Sequence, residues 1–228
     1  MDASLVSIAC IIPAFNEEAT VATVARRAVA HPKIHRVIVV DDGSKDATTR
    51  RASLVAGVQV ITLQHNRGKG AAMRIGMAAC VEPVLLFLDA DLLGLTPQHI
   101  SDLLDPVLTG EAEMSVGLFR GGRIHTDLAH MVAPSLSGQR AIHRSALQHL
   151  DMASVGFGIE RALTELWENG TIRVKEVILH GVSHRTKEEK RGYLEGVKQR
   201  LGMYSDILRF EKGRLKRRLE GNSDTLGR

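Results

Sequence analysis

Four short apolar segments, each followed by a polar cluster and a helical pattern, constrain this 228-residue chain more than any other feature. Val6 to Ile12 is a β-branched run ended by Pro13, and Val37 to Val40 is a second. "VQVITL" is a third and "VLLFL", ending at Leu88, a fourth. Between them Val21, Val24, Ala25, Ala28 and Val29 recur at helical spacing, with Asn16 read as the N-cap and Glu17 and Glu18 in the first turn. A second helix follows the turn at Gly43, capped by Ser44 or Asp46 and closed at Gly57. A third begins in "RGKGAAMRIGM". Continuously apolar strands alternating with helices predict an α/β fold: a mostly parallel, Rossmann-like sheet flanked by helices, with right-handed crossovers. Such sheets bind ligands at the carboxyl ends of their strands. Here those ends carry "PAFNEE", "DDGSKD" and "DADLLG".

The second half is less regular. A helix is expected from Thr96-Pro97, a strand near Glu113 to Leu118, helices at about 141–150 and 159–168, and a strand over "TIRVKEVIL". Phe119 to Gly138 lacks periodicity and reads as a mobile loop. Leu194, Val197, Leu201, Tyr204 and Leu208 recur at three- and four-residue spacing and predict a long C-terminal amphipathic helix. No repeat or linker divides the chain. It reads as one domain, with a nucleotide-binding half at 1–95, an acceptor-side half at 96–185 and a helical basic tail at 186–228.

The net charge of +4 is concentrated in that tail, at Arg209, Lys212, Arg214, Lys216, Arg217 and Arg218. Without interleaved aromatics this argues against nucleic acid as a partner. The tail pairs two copies of the chain as a homodimer, lies on anionic lipid, or is a solvated helix face. Cys10 and Cys80 stand in apolar surroundings and read as buried thiols rather than a disulfide or metal pair. With neither a leader nor a membrane-spanning run, the expected location is cytoplasmic, at most peripheral at the inner membrane face.

Asp89 and Asp91 sit two apart at a strand end and repel each other unless a cation compensates. Mg²⁺ or Mn²⁺, which takes oxygen ligands and substrate phosphates, is the natural compensator; solvated loop acids are the alternative. Gly68, Lys69 and Gly70 at a helix start suit an anion, or are structural. His180 and His184 flank the end of the last strand, and neutral imidazole at His184 would complete a carboxylate site. Glu160 is either a general base or a first-turn carboxylate satisfying a helix dipole.

Taken in order, "IIPAFNEEATV", "VIVVDDGSKDAT", "NRGKGAAMRIGM", "LFLDADL" and "SGQRAIHRSAL" resemble the nucleotide-sugar glycosyltransferases of the GT-A fold, particularly family 2. The resemblance covers about residues 6 to 185. It implies that Pro13, Ala14 and Glu17 hold the nucleoside of a nucleotide diphosphate sugar and that Asp42 hydrogen-bonds the base. Gly68, Lys69 and Gly70 would approach the ribose or diphosphate. Asp89-Ala90-Asp91 matches the family's Asp-x-Asp motif, the last residue contacting a divalent metal and the first lying nearer the ribose or sugar. Gly138, Gln139 and Arg140 match the acceptor or sugar side, and Glu160 an acid near the reaction centre. The late histidine, His184 in preference to His180, resembles the metal ligand of glucosyl-phosphoglycerate and mannosylglycerate synthases.

The activity so implied is metal-dependent transfer from a nucleotide diphosphate sugar, UDP favoured, to a small soluble acceptor or a polyprenyl phosphate. Inversion would need Glu160 as base; retention would need it only to orient the acceptor. A sugar-nucleotidyltransferase is the competing enzyme class, but "PAFNEEA" lacks the glycine and basic residue expected after its first strand. A non-catalytic nucleotide-sugar-binding module is the non-enzymatic alternative.

Overall fold

The computed structural model describes residues 6–120, 138–150 and 158–185. The loop expected between Phe119 and Gly138 falls almost wholly outside these residues, and the expected C-terminal helix entirely so. Strands are β1 (Ile8–Ala14), β2 (Arg36–Asp41), β3 (Val58–Thr62), β4 (Val84–Phe87), β5 (Leu92–Leu93), β6 (Met114–Arg120), β7 (Arg140–His143), β8 (Val174–His180) and β9 (Ser183–His184). Helices are α1 (Val21–Val29), α2 (Thr48–Ser53), α3 (Lys69–Ala78), α4 (Pro97–Leu108) and α5 (Ile159–Glu168).

Among the described residues, seven strands form one sheet in the order β3-β2-β1-β4-β7-β6-β8, and β5 and β9 form a separate ribbon. The pairs β1·β2, β1·β4, β2·β3 and β6·β8 are parallel, whereas β7 runs antiparallel to both its neighbours. The apolar strands are explained by cover on both faces. Ile8, Cys10 and Ile12 of β1 join Val21, Val24, Ile100 and Leu103 of α1 and α4 in one core layer. Ala9 and Ile11 face the other way and join Met73, Met77, Ile159 and Leu163 of α3 and α5. Both cysteines are free and buried, as expected.

Several boundaries differ from the sequence reading. Pro13 does not end β1: it pairs in register with Val40, while pairing with β4 stops at Ile11, so its missing donor is not needed on that side. Asn16 is not the N-cap of α1. It adopts a left-handed φ of 56°, and its side chain instead accepts the Lys45 backbone N–H. The N-cap of α1 is Thr20. Asp46 stands one residue before the N-cap of α2, accepting the Thr48 N–H, and α2 ends at Ser53 rather than at Gly57. Thr96 caps α4 in a reciprocal capping box with His99.

The expected helix at 141–150 is a strand followed by a 3-10 turn, Arg144–His149. Arg140–His143 lies between β4 and β6, where its backbone groups find partners on both sides, and four residues carry too little periodicity to separate strand from helix. Among the described residues no helix is long and apolar enough to cross a membrane.

Candidate active site

The polar clusters meet at the carboxyl ends of β1, β2 and β4. Strand order reverses between β1 and β4, because the chain moves outward to β2 and β3 before returning to β4, and ligands of such sheets bind at this kind of reversal. The loops after β1 and β2 are laced together. Asn16 donates its N–H to Ser44 Oγ and Glu17 donates to Thr48 Oγ1, both at 2.8 Å, and Ala47 donates to Glu18 Oε2 at 2.9 Å. These bonds hold Pro13, Ala14 and Glu17 beside the "DDGSKD" turn.

Asp42 is buried, and its two carboxylate oxygens accept the backbone N–H groups of Arg67 and Gly68, each at 2.8 Å. It therefore organises the entry to α3, with Gly68 as N-cap and Lys69 as the first helical residue. From there Lys69 Nζ reaches Asp89 Oδ1 at 2.7 Å and Glu160 Oε1 at 2.7 Å. Burial works against a charged lysine, but Asp89 and then Glu160 outweigh it and keep the ammonium protonated well above its usual range.

Glu160 owes its position to α5. Ile159, Ala162, Leu163 and Leu166 are buried at helical spacing, which seats the helix on the sheet and leaves Glu160 in its first turn, partly exposed and facing Lys69. The expected first-turn carboxylate is therefore present, and it faces Lys69.

The antiparallel strand β7 supplies the next layer. Its register pairs Arg140 with Phe87, so the residues before it continue past the end of β4 and meet Asp89. Gln139 donates from Nε2 to Asp89 Oδ2 at 2.8 Å. Gly138 comes so near that an added Cβ would lie 2.5 Å from Lys69 Nζ and 2.6 Å from both Asp89 oxygens. Arg140 is only 1% exposed and donates to Thr164 Oγ1 at 2.7 Å. It is packed between β7 and the helix that carries Glu160. Its charge is opposed by burial and favoured by Glu160 and Asp89.

His184 arrives through a strand of two residues. After β8 the chain turns at Gly181, and the two residues of β9 pair antiparallel with β5, setting His184 opposite Leu92. Its Nδ1 lies 2.9 Å from Asp91 Oδ1 and its Nε2 3.9 Å from Asp89 Oδ2. The ring of Phe119 stands against it, centroids 4.9 Å apart. Burial opposes the imidazolium, but the Asp91 hydrogen bond and the charges of Asp91 and Asp89 raise the pKa above its ordinary value. His180, by contrast, is exposed at the end of β8.

One ligand atom each from Asp89, Asp91 and His184 lies within 4.8 Å of the others. Two carboxylate oxygens and an imidazole nitrogen fit Mg²⁺ or Mn²⁺, with positions left for phosphate or water. The sequence reading put Asp91 and His184 at a metal, Asp89 nearer the ribose or sugar, and Lys69 near the ribose or diphosphate; the structure brings all four side chains together. That reading missed the Lys69 bridge to Glu160, the Gln139 bond to Asp89, and Phe119 and Thr164 as supports, all of which depend on β7, β9 and α5 meeting in space.

A model of glycosyl transferase family 2 matches residues 9–167. The chain is 29% identical over 194 residues to glucosyl-3-phosphoglycerate synthase of Mycobacterium tuberculosis (strain H37Rv), a match covering 69% of this chain and 59% of that protein. It is 34% identical over 150 residues to undecaprenyl-phosphate 4-deoxy-4-formamido-L-arabinose transferase of Pseudomonas fluorescens, covering 60% of this chain and 42% of that protein. A crystal structure of the mycobacterial synthase in complex with Mn²⁺, uridine-diphosphate-glucose and phosphoglyceric acid matches the fold with a TM-score of 0.64 at 29% identity, over 80% of this chain and 73% of that one. The chain thus spans about 59% of the length of the curated synthase.

Proposed function

The chain belongs to glycosyl transferase family 2, and from that premise we propose that it transfers a sugar from a nucleotide diphosphate sugar to an acceptor, with a divalent cation as cofactor. The observation that carries this reading is the convergence of Asp89, Asp91, His184 and Lys69 beyond the carboxyl ends of β1 and β4. A nucleotide diphosphate placed there would meet the laced loops of Pro13, Ala14 and Glu17 and the Asp42-organised turn on its nucleoside side. Its phosphates would face Lys69 and the acidic trio. Residues 1–95 serve as the nucleotide half and 96–185 as the acceptor half.

The uridine nucleotide bound by the mycobacterial synthase supports UDP as the carrier. The glucosyl-3-phosphoglycerate and undecaprenyl-phosphate in the relatives' names both bear phosphate, which supports an acceptor bearing phosphate. A divalent cation held by Asp91 and His184 would supply charge neutralisation to the departing diphosphate. Lys69 adds a positive charge on the same side, where negative charge gathers as the glycosidic bond breaks. Glu160 receives the acceptor's hydroxyl: in an inverting reaction it takes the proton, and in a retaining one it orients the nucleophile. Gly138 and Gln139 keep Asp89 in place, and Arg140 supports them from below.

Thermal melts with UDP-, GDP-, ADP- and dTDP-sugars, in Mn²⁺, Mg²⁺ or chelator, test the donor site, because a ligand of the native state raises Tm by mass action. A cation-dependent rise with UDP-glucose is expected, followed by transfer to 3-phosphoglycerate or to a polyprenyl phosphate. No rise with any donor, together with no donor hydrolysis, removes the reading.

A further inference from the structure

Both carboxylate oxygens of Asp89 are engaged. Lys69 Nζ holds Oδ1 at 2.7 Å and Gln139 Nε2 holds Oδ2 at 2.8 Å. Lys69 simultaneously holds Glu160, so one ammonium compensates the first acid of the motif and the acid of α5. Asp91 faces His184 at 2.9 Å, with side chains 19% and 26% exposed, whereas the Asp89 side chain is 14% exposed. The packing leaves Lys69 little freedom on the Gly138 side, where even a methyl group would collide with Nζ and with Asp89.

We propose that Lys69 is an internal counter-cation of Asp89, so that full use of the Asp89-Asp91-His184 trio by a divalent cation depends on Lys69 leaving Asp89. The argument is one of charge balance in a partly buried site. Asp89 already has a positive partner, and a second cation on the same oxygens must face the lysine's repulsion as well as compete for lone pairs. A diphosphate arriving beside Lys69 offers the ammonium a new anion. Moving Lys69 from Asp89 to the phosphate uncovers the carboxylate and removes the repulsion in one displacement. Cation and nucleotide would then bind with positive coupling, and release of Glu160 from the same lysine would expose the acid to the acceptor only when donor is present. Lys69 in this role is a positioning residue. The inference rests on the donor-site reading given above.

The test measures Mn²⁺ binding to the full chain by calorimetry or electron paramagnetic resonance, without nucleotide and with UDP. For the wild type, affinity for Mn²⁺ alone is expected to be weak and to tighten with UDP by a factor in the range of about 5 to 150, the usual scale of coupling between two sites. Lys69→Met should bind Mn²⁺ alone about tenfold more tightly, and UDP should then add correspondingly less. On an Asp89→Asn background the Lys69→Met gain should vanish, because there is no carboxylate left to uncover. Unchanged or weaker Mn²⁺ affinity in Lys69→Met overturns the proposal. A gain that persists with Asp89→Asn also overturns it, since plain removal of a positive charge would then suffice. Lys69→Gln replaces the Met variant if circular dichroism shows that variant unfolded. If instead the wild type binds no Mn²⁺ even with UDP, or Asp91→Asn binds it as the wild type does, the donor-site reading itself fails.

Discussion

Nδ1 of His184 lies 2.9 Å from Oδ1 of Asp91 across 93 residues of chain, joined by a ribbon of two residue pairs. The hydrogen bond orients the ring, and Phe119 fixes its tilt. A ligand so held contributes to cation affinity through position as well as charge. His184→Ala should weaken Mn²⁺ binding by about 10- to 100-fold, the range seen when a site's orienting partners are lost. Asp91→Asn should weaken it further while the far-UV spectrum stays unchanged. Calorimetric titration of both variants checks this, and a His184→Ala protein with wild-type affinity would remove the imidazole from the site.

Gly138 makes a sharper prediction because it contributes no functional group. An added Cβ would stand 2.5 Å from Lys69 Nζ and 2.6 Å from the Asp89 oxygens, so Gly138→Ala must part the ion pair or push β7 outward. Since the atoms displaced are side-chain ends at a partly exposed site, the global fold should survive. The expected result is at least about a tenfold loss of UDP affinity in Mn²⁺, equal to about 1.4 kcal/mol, with Tm moved by only a few degrees. Differential scanning fluorimetry and calorimetry on the same sample separate the two effects.

The first four strands and the helices between them were legible because those strands are buried on both faces and the helices cover opposite layers, a pattern that writes itself into apolar runs and three- and four-residue spacing. The acidic pair was legible for the same reason: it ends β4 abruptly. What the sequence did not disclose is everything set by short elements. Four residues of β7 and two of β9 have no period to read, yet the first brings Gln139 and Gly138 to Asp89 and the second sets His184 opposite Leu92, beside Asp91. Asn16 misled because it has the chemistry of an N-cap but spends it on Lys45, in a left-handed turn between two loops.

The ribbon itself is testable at Gly94. Its φ is +76°, and an added Cβ would fall 2.4 Å from the carbonyl oxygen of Gly181, on the turn that leads into β9. Gly94→Ala is strained on both counts and should destabilise the protein by about 1–3 kcal/mol. It should also lose Mn²⁺ affinity to a degree comparable with His184→Ala, because the displaced ribbon carries the imidazole away from Asp91. Urea unfolding combined with Mn²⁺ titration checks both. A Gly94→Ala protein that is destabilised but binds Mn²⁺ normally would show that His184 is held by Asp91 and Phe119 without the ribbon.

His31 provides a pH dependence remote from the site. It is 2% exposed, and its Nε2 lies 3.0 Å from Ser101 Oγ, tying the end of α1 to α4. Burial lowers its pKa, Lys33 lowers it further and Asp105 opposes them. The folded protein therefore keeps this imidazole neutral at a pH where the unfolded chain already binds a proton, which begins near pH 6.5 for a free histidine. Above that value His31 carries no proton-linked penalty; as pH falls through it, the unfolded state gains protons and stability declines. Unfolding free energies from urea titrations at pH 7.5, 6.5 and 5.5 should fall more steeply for the wild type than for His31→Gln, which cannot titrate. At pH 7.5 the variant should be less stable by about 1 kcal/mol, for the disturbed hydrogen bond to Ser101. Parallel slopes for the two proteins would show that the proton is taken up elsewhere, and that the contact with Ser101 tolerates the charged ring.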